Sequence, residues 1–188
     1  MSEGPTLDED FIGGEPSLRT VRFAGFGPRL AATLIDFLAL IPISGLIAYN
    51  AVEIKSLPLL FVLFGLANLY KPFMEWKEGA TLGKMAMKIK VVNKDLGPIS
   101  GEQAFHRYAL WIGTMFISVA MEVQLFNAPN FGDMTDYMET REWLQNSSLS
   151  TINFVYFTFF LIAVGSLVID ERKQGLHDKL ARTYCIHR

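Results

Sequence analysis

Four long apolar blocks, each fenced by charge, limit what this chain can be. Residues 30–52 are apolar but for Asp36 and a few small polar side chains, and residues 152–169 run uncharged up to Asp170. Residues 57–70 and 108–121 are shorter. The first of these continues through Pro72, Phe73 and Trp76, and the second is preceded by His106 and Arg107. A helix crossing the hydrocarbon core of a bilayer needs roughly 20 apolar residues. The outer two blocks meet that length; the inner two meet it if Lys71 and Arg107 reach back to the headgroups. A chain that is 51% hydrophobic could also build a large soluble core, so the block lengths decide. The expected fold is an all-α integral membrane protein with four transmembrane helices.

Charge supplies the orientation. Of 17 lysines and arginines, only Lys55 and Arg141 fall between blocks one and two or three and four. The positive-inside rule then places both termini and the central link, residues 71–104, in the cytoplasm. The outer loop, residues 123–150, faces the other way. The net charge of −2 hides this asymmetry, so membrane lipids and not nucleic acid are the expected contacts. Residues 1–20, acidic and rich in Gly, Pro and Ser, predict a disordered tail ahead of a membrane domain over residues 21–188. That tail lacks the basic start and short apolar core of a signal peptide, so the first block is expected to stay as an anchor. The single cysteine, Cys185, allows no internal disulfide and no cysteine metal cluster.

Arg29 and Asp36 lie on the first block, where an ionised side chain costs at least about 2.5–3.5 kcal/mol. Seven residues is about two helical turns, so both project from one face, with Thr33 between them. Such a face points to a protein interior or a wet cavity. Ion or solute handling and a purely structural charge pair are the two readings.

The central link carries its own pattern. Leu82, Met85, Ala86 and Ile89 fall at helical spacing between Lys84, Lys88 and Lys90, which predicts a short basic amphipathic helix at the membrane surface, capped by Thr81. Gly79 to Gly83 followed by Lys84 falls one residue short of a nucleotide-binding loop, and Met85 replaces its hydroxyl, so no nucleotide site is expected. Residues 88–92 alternate like a strand, followed by a turn-rich stretch to Pro98. Residues 183–187 form a second β-prone run, and the two are expected to pair, since neither is stable alone. Ser100 and Gln103 have the spacing of a capping box for the third helix. In the outer loop, Asp133, Asp136, Glu139 and Glu142 lack the spacing of a calcium loop. Met134, Met138, Trp143 and Leu144 predict a helical piece docked on the bilayer.

Three segments resemble the motifs of the RDD family of small, mostly bacterial membrane proteins: FGPRLAATLID at residues 26–36, GATLGK at 79–84 followed by IKVV at 89–92, and QGLHDKLART at 174–183. The family is named for one arginine and two aspartates, which the resemblance assigns to Arg29, Asp36 and Asp178. Asp170 is the rival for the last place but lacks the His177-Asp178 context. Lys84, Thr33 and His177 would support the set. The resemblance implies a bacterial inner (cell) membrane protein with a transport role, some members being linked to sodium–proton exchange. This chain departs from the pattern in its longer outer loop, in Ala181-Arg182 ahead of Thr183, and in Lys71, Glu75 and Glu78 crowding the end of helix two.

Two functions compete. One is cation or proton exchange in which Asp36 binds and releases the ion, with a monovalent cation or proton as partner. The other is a non-transporting scaffold, assembly or accessory subunit in which Arg29, Asp36 and Asp178 lock the fold. No catalytic residue, metal site or cofactor is expected: the three histidines are widely spaced and neither His-Glu-x-x-His nor Gly-x-Ser-x-Gly occurs. Four helices are few for a transport path, so a homo-oligomer or another membrane partner is expected, with small residues at 65–67 and 163–166 allowing close packing. Arg29 should bond Asp178, because Asp36 lies about 10 Å further along the helix.

Overall fold

The computed structural model describes residues 21–188. The tail expected at 1–20 lies outside them. Four helices are long and apolar enough to span a membrane. These are α1 (Phe26–Tyr49, extended by a π-helical stretch Asn50–Ile54), α2 (Leu57–Glu78), α4 (Gly101–Phe126) and α6 (Ser150–Gly165), which runs on in a 3-10 turn to Val168. Three short helices join them: α3 (Leu82–Ala86), α5 (Tyr137–Gln145) and α7 (Leu176–Leu180). The two inner spans outrun their apolar blocks because each adds about two turns of mixed character at the basic end.

The helix ends follow local chemistry. Ser56 caps α2, with Pro58 in its first turn, and Gly79 closes it in the left-handed conformation at φ 68°. A side chain at Gly79 would also press on Lys90. Ser100 and Gln103 form the expected capping box, their reciprocal bonds both 3.1 Å. Large apolar side chains such as Phe37, Phe116, Phe154 and Ile162 point outward. In each span's most apolar stretch only 11–17% of residues are buried within the protein. Such a bundle suits a solvent of acyl chains, where outward apolar surface costs nothing.

The ends of the bundle are where packing is dense. At the basic end β1 (Ile89–Asn93) pairs antiparallel with β2 (Thr183–His187), Val91 opposite Cys185. Phe23 adds a bridge to Ile186, so the start of the described chain and its last strand share one end. The turn after β1 is held by Asn93, whose Oδ1 accepts from Asp95 and Gly97 N–H, both at 2.9 Å. Ile89, Val91, Ile99, Ala104 and Cys185 pack with Ala24 and Ala32 beneath the sheet.

At the other end, Leu125, Phe131, Met134 and Leu144 form a second cluster. The expected helical piece of the outer loop is present as α5, but it docks on the end of α4, burying Leu144 while Met138 stays exposed. Lys55 ties it down, donating to the carbonyls of Gly132 at 2.6 Å and Met134 at 2.9 Å. The short basic helix packs on α1 and leaves Leu82 exposed. It lies against α1 so tightly that a Cβ at Gly83 would stand 1.9 Å from the Ala32 carbonyl oxygen. Gly65 and Gly165 face open space, whereas Gly113 lies under the Tyr156 hydroxyl.

Candidate functional site

A chain of alternating charge is buried where the spans meet the sheet. Arg29 comes from the first turn of α1, Glu75 from the last turn of α2, Lys84 from α3, Arg107 from the second turn of α4, and Asp178 from α7. In space their order is Arg29, Asp178, Arg107, Glu75, Lys84, each neighbour an ion pair. Asp36, two turns deeper on α1, adds a third acid, so the six formal charges sum to zero. Balanced pairing with hydrogen bonds is the condition under which charge survives burial.

Asp178 is the hub, with no exposed surface. Its Oδ2 accepts from Arg29 Nη1 at 2.5 Å and from the Gly175 N–H at 3.0 Å; its Oδ1 accepts from Arg107 Nη1. Burial alone would raise the affinity of this carboxyl for a proton, but Arg107, His177 and Arg29 outweigh it and hold Asp178 well below the usual carboxylate range. Arg29 spends its other donors on the carbonyls of Ala24 at 2.9 Å and Lys173 at 2.7 Å. Arg107 donates through Nε to Glu75 at 2.8 Å and through Nη1 to the Thr183 hydroxyl at 2.5 Å; its Nη2 meets Cys185 Sγ at 3.7 Å. Arginine suits both places because its planar fork serves several acceptors at once.

His177 sits beside the hub, Nε2 3.4 Å from Asp178 Oδ1, with Nδ1 buried and unpartnered. Burial pushes its pKa down to about 4; Asp178 opposes this, while Arg107, Arg29 and Lys84 reinforce it. The ring is therefore neutral at ordinary pH.

Asp36 makes a separate contact set. Its Oδ1 accepts from the Tyr70 hydroxyl at 2.9 Å and the Gly83 N–H at 2.8 Å, and its Oδ2 from the Thr81 hydroxyl at 2.7 Å. Thr81 in turn caps α3 by accepting from Lys84 N–H, and Tyr70 accepts from Leu82 N–H at 3.0 Å. An acid on a spanning helix thus holds the first turn of the short basic helix, directly and through two hydroxyls. These donors occupy both carboxylate oxygens.

Among the predicted residues, Arg29, Asp178, His177 and Lys84 meet in one cluster, and Asp36 adjoins it through α3. Thr33 does not join them: it is exposed and its hydroxyl turns back to the Arg29 carbonyl at 3.0 Å. An offset of four residues from Arg29 was enough to carry it off the buried face. Asp170 also stands apart. It accepts from Arg172 and Gln174 N–H in the loop after α6 and pairs with Lys179 at 2.5 Å. These contacts, Lys179 foremost, lower its pKa.

Two central residues were misread from sequence. Arg107 does not snorkel to headgroups but is buried between two acids, and Glu75, noted only as crowding a helix end, joins Arg107 to Lys84. Lys71 likewise lies over the Trp111 ring, 4.6 Å from its centre. The available signal was a charge on the inward stripe of each inner span, just outside the apolar block. No curated protein and no solved structure matches the chain. The RDD family model matches residues 23–182, taking in all four spans, the sheet up to the start of its second strand, and every residue of the charge cluster. The chain is a membrane protein of the RDD family.

Proposed function

We propose that this chain is a non-transporting membrane module, a scaffold, assembly or accessory subunit, whose intramembrane charges form a latch that presents a rigid face at the basic end. The observation that supports this is the saturation of the acids. Asp36, Glu75 and Asp178 accept from protein donors at both carboxylate oxygens. An exchanger needs a carboxylate that trades its partners for an ion at each turnover, and these partners come from five different elements. A buried network of this kind is a poor source of net stability and a good way to select one helix arrangement. The positive-inside rule supports a cytoplasmic position for the basic end in a bacterial inner membrane, with both termini inside. The partner is then a membrane or cytoplasmic protein, or a second copy of the chain.

Cation–proton exchange is the second reading, and one observation favours it. At the basic end Asp36 is covered by a five-residue helix held to it through hydrogen bonds. Lifting α3 would open the acid to the aqueous side. Reconstituted vesicles under a pH gradient decide between the two. The latch reading expects no sodium- or potassium-dependent dissipation of the gradient above protein-free vesicles. Dissipation that Asp36→Asn abolishes, in a variant that stays folded, overturns it in favour of exchange.

A further inference from the structure

The opposite end of the molecule holds a cleft that the charge latch does not use. α4, α5 and α6 line an open cleft of about 740 Å³. Ser150, Thr151 and Asn153 line it at the first turn of the fourth span, and Phe154 and Phe157 line it one and two turns deeper. Phe154 is 71% exposed and Phe157 49%, so this wall opens toward acyl chains. Along the fourth span the lining passes from polar side chains at its start to aromatic ones further in, while α4 and α5 add Ser118, Met138 and Leu144.

Two charged residues line the same cleft. Glu122 of α4 is 4% exposed, and its Oε1 accepts from Arg141 Nη2 of α5 at 2.9 Å. Glu122 Oε2 and Arg141 Nε are both shut from solvent with no hydrogen-bond partner. Buried polar atoms are seldom left so, and each one in a native structure calls for an explanation. Here one acceptor and one donor stand unused on a single ion pair. The last torsion of a glutamate is soft, so the carboxylate can turn its free oxygen into the cleft without giving up Arg141.

We propose that this cleft binds the headgroup of a zwitterionic phospholipid bearing a primary ammonium, a phosphoethanolamine lipid. With the carboxylate turned outward, the ammonium would donate to Glu122 Oε2, the phosphate would accept from the partly exposed Arg141 side chain, and the acyl chains would follow Phe154 and Phe157. Charge selects the class. The Glu122–Arg141 pair is neutral, so a neutral zwitterion adds no net charge to a desolvated site, whereas an anionic headgroup does. Chemistry selects within the class, because a quaternary ammonium has no N–H to give to Glu122. The membrane supplies the ligand at the right depth.

The test is native mass spectrometry of the full chain in detergent. Phosphatidylethanolamine, phosphatidylcholine and phosphatidylglycerol of identical acyl composition are titrated separately. The ethanolamine lipid is expected to bind at least about tenfold more tightly than either of the others. Glu122→Gln puts an amide where the free acceptor was and should erase that preference, while Glu142→Gln, an exposed acid on the same helix as Arg141, should keep it. Equal binding of ethanolamine and choline lipids by the unaltered protein, which needs no variant to fold, overturns the proposal, as does preference for the glycerol lipid. Displacement of the bound lipid by glycerophosphoethanolamine at comparable concentration would assign the cleft to a soluble zwitterion and overturn the lipid assignment.

Discussion

Asp178→Asn is the sharpest perturbation of the charge cluster. The side chain keeps its shape and its place at the N-terminus of α7, but loses its charge. One carboxylate oxygen becomes an NH2 group. That group must then face Arg29 and Gly175 on one side or Arg107 on the other, all of them donors. Arg29 is left buried with neutral acceptors alone, and Arg107 keeps Glu75 as its one charged partner. Removing one member of a buried pair costs about 3–5 kcal/mol, because the survivor stays desolvated and uncompensated. For a chain of this size each kcal/mol moves the unfolding midpoint by roughly 2–4 °C, so Tm should fall by roughly 6–20 °C. Asp170→Asn is the matched control. Its partner Lys179 has a side chain 51% exposed, and exposed pairs are worth about 0–1 kcal/mol. The assay is thermal unfolding in detergent followed by intrinsic tryptophan fluorescence, with the double variant Arg29→Met/Asp178→Asn closing a cycle. Equal effects of the two asparagine substitutions, or additive losses from Arg29→Met and Asp178→Asn, would refute the account of Asp178 as a hub.

The histidine beside the hub gives a pH dependence with a defined sign. Its folded pKa of about 4 lies below its ordinary 6.5, so the unfolded chain takes up the proton first. Stability is then full above pH 6.5 and falls as pH drops toward 4, by about 3 kcal/mol over that window. His177→Gln should flatten Tm against pH there, and an unchanged slope would count against it. Gly83→Ala should destabilise by about 1–3 kcal/mol or more, since its methyl group would overlap the Ala32 carbonyl. Gly45→Ala, with nothing within 4 Å, should instead stabilise by about 0.5–1 kcal/mol; thermal midpoints of the pair check both. Tyr70→Phe removes the hydroxyl that links Asp36 to Leu82 and should cost about 1–3 kcal/mol. It should also speed hydrogen exchange at the α3 amides; protection equal to the parent would show that α3 is held without Asp36.

The four spans were legible in the chain because crossing length and hydrophobicity are properties of consecutive residues. The strand pair, the capping box and the inward importance of Arg29 and Asp36 were legible for the same reason: alternation, spacing and a charge in an apolar run are all local. What the tertiary structure alone decided is who joins Arg29 and Asp178. Their bond, across 149 residues, was expected from the motifs, whereas no spacing rule brings Arg107 to Glu75, 32 residues away, or to Asp178. A basic residue at the end of an apolar block can reach out to headgroups or in to an acid with equal local sense. Arg107 turns inward because α7 and α2 bring Asp178 and Glu75 to its two sides, and a buried carboxylate is worth more to a guanidinium than water is only when both acids are already in place. Thr33 turns outward because forty degrees of helix rotation separate a protein interior from lipid. Those choices rest on a balance of desolvation against pairing that exists only once the helices have packed.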